Sequence, residues 1–411
     1  MRVLFLTPQV PYPPRQGAAL RNWGLISGLA TRHEVAILSF LSPGQSLEQA
    51  DPLRAVCRIE TVPLVVRSFR DRLRSMLTTR QPDMALRLAS ESYARRLADW
   101  LAGETFDVVH VGGIEMASYL GVIEAARPRP HVVFDNLNCE YLLQQRAFLT
   151  DLRAPARWPG AAYSFVQWRR LRRYEAQVCR RAGRVLAVSD ADAVALRKLV
   201  PGLDVTVVPN GVDTQVYQPE TPSPKPRISK DALVFTGTMD FRPNVDAVLW
   251  FARRVLPRVR AQVPEAHFLV VGQRPHRRLD ELRDAPAVAL TGWVEDVRPY
   301  IAQAAVYVAP LRIGGGTRLK LLEAMAMGKP VVATRLGAEG YPVTDGRELL
   351  LADTPADFAA GVVALLRTPE RRVELGRVAR AFVEQQYDWR VIVPRVEVAY
   401  RTKQPPVSTG G

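Results

Sequence analysis

Cysteine is scarce in this chain. Three residues, Cys57, Cys139 and Cys179, are scattered through 411 positions. They form no zinc spacing and no disulfide framework, which fits a reducing compartment. Histidine is scarcer than chance would need for a metal cage: the five are His33, His110, His131, His267 and His276, none within ligand spacing of another. No stretch approaches the roughly 20 apolar residues of a membrane-spanning helix. The opening MRVLFLTPQVPYPP has a short apolar run cut by proline, so no signal peptide is expected. The first strand is not followed by G-x-G-x-x-G, which argues against a nicotinamide or flavin enzyme. No repeat of solenoid length is present.

What the chain has is length, apolar residues and positive charge. Hydrophobic residues make up 47%, enough for two or three cores, and the net charge is +15. Such a balance suits an anionic partner: a nucleic acid, a membrane surface or a phosphorylated substrate. No nucleic-acid motif accompanies it, so nucleic acid is not expected as a partner.

Short apolar runs alternate with helical patterns. They are 3–7, 35–40, 108–111, 132–135, 185–189 and 205–209, then 233–236, 267–271, 288–291, 306–309 and 331–333. Continuous apolar strands between amphipathic segments predict parallel sheets covered on both faces. The proline-rich stretch YQPETPSPKPRISK separates the two series. The expected fold is α/β, with two doubly wound, Rossmann-like domains facing across a cleft. Ligands of such sheets lie at the carboxyl ends of the strands. Expected boundaries are 1–215, a linker at 216–230, a second domain at 231–386, a helix at 387–402 interrupted at Pro394, and a disordered tail at 403–411.

The most informative segment is PLRIGGGTRLKLLEAMAMGKPVVAT, 310–334. Gly314, Gly315 and Gly316 leave backbone N–H groups open to a close anion. Thr317, Arg318 and Lys320 add a hydroxyl and two cations, and a helix N-terminus favours negative charge there. Glu323 is the one carboxylate on the helix. A phosphate at the glycines and a sugar hydroxyl at Glu323 fit a nucleotide-sugar; the alternative is a tight turn before a core helix.

Other polar groups cluster after strands. Gly17 opens a helix, with Arg15 and Arg21 nearby, as substrate contacts or as an ordinary turn. His110 ends the run FDVVH, as a catalytic contact or a histidine satisfied by backbone. Asn138 and Glu140 follow VVFD, as acceptor-side groups or caps. Asp190-Ala191-Asp192 reads as acids in a first helical turn behind a Ser189 cap rather than a metal pair. Arg169, Arg170, Arg172 and Arg173 interleave with apolar residues on a basic amphipathic helix, which suits anionic lipid or a solvated helix face.

Several segments together resemble the family-four, or group 1, glycosyltransferases of GT-B fold. They are VTVVPNGVDTQVYQP, LVFTGTMDFRPNVDAV, LTGWVEDVRPYIAQAAVYVAPL and LLEAMAMGKPVVAT, with YDWRVIVPRVEVAYR resembling the terminal helix that crosses back to the first domain. The resemblance spans nearly the whole chain. It implies transfer of a sugar from a nucleoside-diphosphate donor to a hydroxyl acceptor, lipid-linked or saccharide, in exopolysaccharide or glycolipid synthesis. Retention at the anomeric carbon and a cytoplasmic, membrane-associated setting go with it. No metal or other cofactor is expected. It also implies donor contacts at Gly17, Gly237, Val294, Gly315, Gly316, Thr317 and Glu323. Gly315 stands where many members have a first glutamate, and Leu137 where many have a histidine. Thr238 and Pro243 fall near a usual Arg and Lys, so Arg242, Arg318 and Lys320 are the cations left for the diphosphate. His110, Arg318 and Lys320 are thus the expected catalytic groups. A nucleotide-sugar 2-epimerase of the same fold, or a catalytically weak binding subunit, are the alternative functions.

Overall fold

The computed structural model describes residues 1–14, 17–43, 45, 47–152, 158–220, 228–314 and 318–402, with backbone only at 49 and 69. Arg15, Gly315, Gly316, Thr317 and the segment 403–411 therefore lie outside the described residues.

The chain divides into two compact units, Met1–Pro209 with Ile392–Gly411, and Asn210–Val391. The first holds a parallel sheet of β1 (Arg2–Thr7), β2 (Glu34–Leu41), β3 (Arg58–Pro63), β4 (Val108–Gly112), β5 (His131–Asn136), β6 (Arg184–Ala187) and β7 (Val205–Val207). Their order is β3-β2-β1-β4-β5-β6-β7. The second holds β8 (Ala232–Thr236), β9 (His267–Val271), β10 (Val288–Leu290), β11 (Val306–Ala309), β12 (Val331–Ala333) and β13 (Leu350–Leu351), in the order β10-β9-β8-β11-β12-β13.

These strands form because their apolar residues are buried on both faces. Val3 to Leu6 are wholly inaccessible, and so are Leu233 to Phe235. Each such side chain contributes roughly 1.5–3 kcal/mol on burial. The register is in phase across the centre of each sheet, Val3 opposite both Val35 and Val108, and Leu233 opposite both Phe268 and Val306. The order of each sheet reverses once, between β1 and β4 in the first unit and between β8 and β11 in the second. Open α/β sheets bind ligands at such reversals, beyond the carboxyl ends of the strands.

Two strands escaped the periodicity reading. β3 is an edge strand with a mixed sequence, RIETVP, and β13 has only two residues. The helix Trp389–Arg401 runs through Pro394 without ending there. It belongs mainly to the first unit, where Glu397 pairs with Arg32 and His33, and the Tyr400 hydroxyl bonds the His110 ring. The C-terminal helix thus returns to the first domain. Ser189 caps the helix Asp190–Leu199 through Asp192 N, as its sequence predicts. Among the described residues, no helix is long and apolar enough to cross a membrane.

Candidate active site

The reversal in the second unit brings together the turn after β8 and the loop after β11. Gly237 follows β8 with φ +151°. A Cβ there would stand 2.7 Å from both the Asn244 amide nitrogen and Lys320 Nζ, so only glycine leaves room for them. Gly272 is equally constrained, since its Cβ would meet the Gly237 carbonyl.

Two helices start at this point. Arg242–Trp250 and Leu319–Ala326 both begin with no side-chain cap, so their first N–H groups have no side-chain acceptor from the cap position. Asn244, in the first turn of one, accepts from Lys320 Nζ, in the first turn of the other, at 2.8 Å. The same amide donates to Thr238 O at 2.9 Å. The ammonium also lies 4.4 Å from the centre of the Phe235 ring. Burial pulls Lys320 down to about 7, with Glu323 opposing that shift and Arg318 adding to it.

Glu323 lies three residues beyond Lys320, on the same helical face. Its Oε1 accepts from the Tyr217 hydroxyl at 3.2 Å. Burial raises the Glu323 carboxyl, against the Tyr217 hydrogen bond and the Lys320 charge. Arg318 is buried at the helix start, and burial lowers it against the pull of Glu339 and Tyr341. Arg242 is exposed at the first residue of its helix, and Val294 is half-buried against the core of this unit. Gly237, Arg318, Lys320 and Glu323 are therefore neighbours. Asn244 and Tyr217 complete the group, and sequence reasoning missed both. The only hint of Asn244 was its place just after Pro243 at a helix start.

The first unit treats its expected contacts differently. Arg21, expected to meet an acceptor, is buried in the core. Its Nε and Nη2 bond the two oxygens of Asp135 at 2.7 and 2.8 Å, and Nη1 donates to Val208 O and Pro209 O. Burial alone would raise Asp135, but Arg21 and the His110 hydrogen bond hold it well below the usual carboxylate range. His110, expected to be catalytic, is corrected too. β4 continues two residues past it, to Gly112, and its ring is wholly inaccessible. One ring nitrogen bonds Asp135 at 3.3 Å, the other the Tyr400 hydroxyl at 2.9 Å, and Phe5 stacks on it at 4.3 Å. Both residues are internal ties.

Gly17 is exposed at the start of its helix, with open space where a Cβ would lie. Asn138 and Glu140 are brought together beyond β5, joined by a 3.3 Å hydrogen bond. Burial, with the nearby charges of Glu115 and Glu175, pushes Glu140 up to about 8. Glu175 is buried beneath it, is pushed up to about 7 by burial, and accepts from Asn136, Glu140 N and Tyr141 N. Of the four arginines expected at a membrane surface, all on the helix Trp158–Arg181, Arg169, Arg172 and Arg173 are exposed. Arg170 instead turns inward to Met76 O and Gln81 O. Among the described residues, no three His, Cys, Asp or Glu side chains are grouped to hold a metal ion.

Comparison with known proteins agrees with the fold. Residues 15–216 match the sequence model of Glycosyltransferase Family 4, and residues 230–368 match that of Glycosyl transferases group 1. A phosphatidyl-myo-inositol mannosyltransferase of Mycolicibacterium smegmatis is 28% identical over 90% of this chain and 86% of its own length. The Mycobacterium tuberculosis protein of the same name is 33% identical over 49% of this chain, a match spanning only 55% of that relative. Sucrose-phosphate synthase of Thermosynechococcus elongatus superposes with a TM-score of 0.68 at 19% identity, covering 98% of each chain. Anabaena HepE in complex with UDP superposes with a TM-score of 0.66 at 16% identity, covering 97% of this chain and 99% of HepE. The chain belongs to the family-four, group 1 glycosyltransferases and is a glycosyltransferase of GT-B fold.

Proposed function

We propose that the second unit binds a nucleoside-diphosphate sugar and that the enzyme transfers the sugar to a hydroxyl of a lipid-linked or saccharide acceptor. The observation that carries this reading is the Lys320–Asn244 contact beside Gly237. It joins a cation to the starts of two helices, at the sheet reversal where such ligands bind. The diphosphate lies against Gly237 and the two helix starts. Lys320, Arg318 and Arg242 supply positive charge. Glu323 accepts from ribose hydroxyls, and Val294 adjoins the base.

In the reaction the bond between the anomeric carbon and the diphosphate breaks, and the acceptor oxygen bonds that carbon as its proton departs. Negative charge grows on the diphosphate as this happens. Fixed cations and N–H dipoles stabilise it without reorganising, which is where such sites gain most of their rate. In this proposal Lys320 and Arg318 do that work without a divalent cation, and the product retains the anomeric configuration. Asn138 and Glu140 are the acceptor-side groups. Their first-unit setting, and the glycolipid mannosyltransferases among the relatives, support a lipid-linked acceptor made available at the inner membrane face.

The test is a thermal-shift screen against UDP, GDP, ADP and their sugars in chelator. It is followed by turnover with the stabilising sugar nucleotide and a polyprenyl-phosphate sugar or phosphatidylinositol acceptor. NMR of the product gives the anomeric configuration. One nucleotide should stabilise the protein with chelator present, and Glu323→Ala should abolish that shift.

A further inference from the structure

Beyond the ends of β4 and β5 the first unit carries a carboxyl group with one oxygen uncommitted. The helix Glu140–Leu152 begins just after β5, and a remote side chain caps it. Glu175, from the helix Trp158–Arg181, accepts from Glu140 N at 3.2 Å and from Tyr141 N at 2.9 Å, so these first N–H groups are satisfied. This clamp fixes the backbone of Glu140 and leaves its side chain to another task. Glu140 Oε1 accepts from Asn138 Nδ2 at 3.3 Å, and among the described residues Oε2 has no hydrogen-bond partner. The residue is half-buried, and Oε2 is open to solvent. A second oxygen is left over beneath it. Asn136, 1% exposed at the end of β5, donates Nδ2 to the Glu175 oxygen that Glu140 N also reaches, and its Oδ1 has no partner among the described residues. Both leftover oxygens accept hydrogens, which a hydroxyl supplies.

A cavity of about 520 Å³ adjoins this carboxyl, within the usual size of a ligand site. Gln144 lines it, one helical turn from Glu140 on the same face. Arg87 lines it too, and its guanidinium stands 4.0 Å from Glu115, whose charge acts on Glu140. The wall also includes Met84, Leu88, Leu171 and Gln167. This mix of apolar surface and amides suits a ligand that bears both C–H and hydroxyl groups.

The charges around Glu140 come from several elements. Glu115 in the turn after β4, Glu175 on its own helix and Asp192 on the helix Asp190–Leu199 all oppose its ionisation, as does burial, while the Asn138 hydrogen bond favours it. The cations nearby act on other groups, Arg87 on Glu115 and Arg172 on Tyr141. A carboxylate held up in this way is a stronger proton acceptor than a free one and is matched to work near neutral pH.

Resting on the transfer reading above, we propose that Glu140 is the base of the reaction: its Oε2 takes the proton of the acceptor hydroxyl, while the rest of the acceptor sits against the cavity beside Gln144. The acceptor O–H bond breaks and its proton passes to Oε2. The oxygen bonds the anomeric carbon, and the bond from that carbon to the diphosphate gives its electron pair to the departing diphosphate. The neutral carboxyl so formed suits its place among three other acids, and it returns the proton to solvent before the next turnover.

The test is the pH profile of sugar transfer by the full chain, with the stabilising sugar nucleotide saturating and phosphatidylinositol or a polyprenyl-phosphate sugar varied. For the parent, kcat/KM for the acceptor should rise about tenfold per pH unit and level off above about pH 8. Glu140→Gln should lower kcat at least about a hundredfold at the plateau and flatten the profile. It should keep the nucleotide-induced thermal shift and the acceptor KM. Gln144→Ala should do the reverse, raising the acceptor KM several-fold with kcat kept. A Glu140→Gln protein that transfers sugar as fast as the parent, or that loses rate but keeps the parent's pH profile, overturns the proposal. An unchanged acceptor KM in Gln144→Ala overturns the seating in the cavity. A parent that binds no nucleotide and transfers no sugar sinks the donor reading and this one with it, whereas transfer that survives Glu140→Gln sinks this one alone.

Discussion

Tyr217 and Glu323 are tied by a 3.2 Å hydrogen bond from the phenol to Oε1. Tyr217 lies in the segment that precedes β8, and Glu323 lies on the helix after β11, so the bond fixes a carboxylate that local structure alone would leave to rotate. It leaves Oε2 for another donor. Tyr217→Phe removes the donor with little change of shape. Nucleotide affinity should fall several-fold, a fraction of the roughly 1.5–3 kcal/mol that a hydrogen bond to a charged group contributes, because the bond lost orients Glu323 and does not touch the nucleotide. Calorimetric titration of the stabilising nucleotide checks this, and an unchanged affinity would show that Tyr217 does not orient Glu323.

Lys320 makes donor binding depend on pH. Its ammonium is pulled down to about 7 by burial, so the free protein loses that charge as pH rises through neutrality. Affinity for a sugar nucleotide, whose own charge is constant there, should fall above about pH 7, with a limiting slope near tenfold per unit. Lys320→Arg should flatten the profile, because a guanidinium stays charged. A profile identical in the two proteins would exclude Lys320 as the titrating group.

Gly237→Ala tests the packing of the same site. The added methyl would sit 2.7 Å from two side-chain nitrogens, closer than any contact allows. Asn244 and Lys320 must then part. Weaker nucleotide binding together with a lower thermal midpoint is expected, and a variant matching the parent in both would show that the turn has slack.

The buried pair in the first unit should behave as structure rather than catalysis. Arg21→Met leaves the Asp135 charge in the core without its main partner. Removing one member of such a pair costs about 3–5 kcal/mol. Arg21→Met with Asp135→Leu should recover a good part of that loss. Denaturant midpoints of the three proteins decide the matter, and a single variant as stable as the parent would remove Arg21 from the fold's supports.

Glu140 gives a stability effect of known sign. Its ordinary value near 4.5 is pushed up to about 8 in the fold by burial and neighbouring carboxylates. The unfolded chain therefore releases this proton first, and stability falls as pH rises from about 4.5 to about 8. Glu140→Gln removes that contribution. It should change little at pH 5 and stabilise on the order of 1 kcal/mol at pH 8. Thermal midpoints at the two pH values read the difference.

Most strands were legible because they are buried on both faces and so read as unbroken apolar runs. β3 was not, because an edge strand keeps polar residues such as Glu60. Lys320 and Glu323 could be read from their spacing on one short helix. Asn244 and Tyr217 could not, since each reaches the site only when remote segments fold together. Arg21 and His110 show the opposite error. Polar side chains near strand ends look like ligand contacts in a sequence, but here both bind Asp135, and His110 also bonds Tyr400, inside the core. A chain pattern reports which face a residue takes, not which distant group satisfies it.

In the proposed function Lys320, beside Gly237 and Asn244, holds a nucleotide diphosphate. The most direct test is titration of UDP, GDP and ADP, in chelator, into the parent protein and Lys320→Ala of equal thermal stability. One nucleotide should bind the parent, and bind the variant at least about tenfold more weakly. Equal binding to both proteins, or no binding of any of the three to the parent, would contradict it.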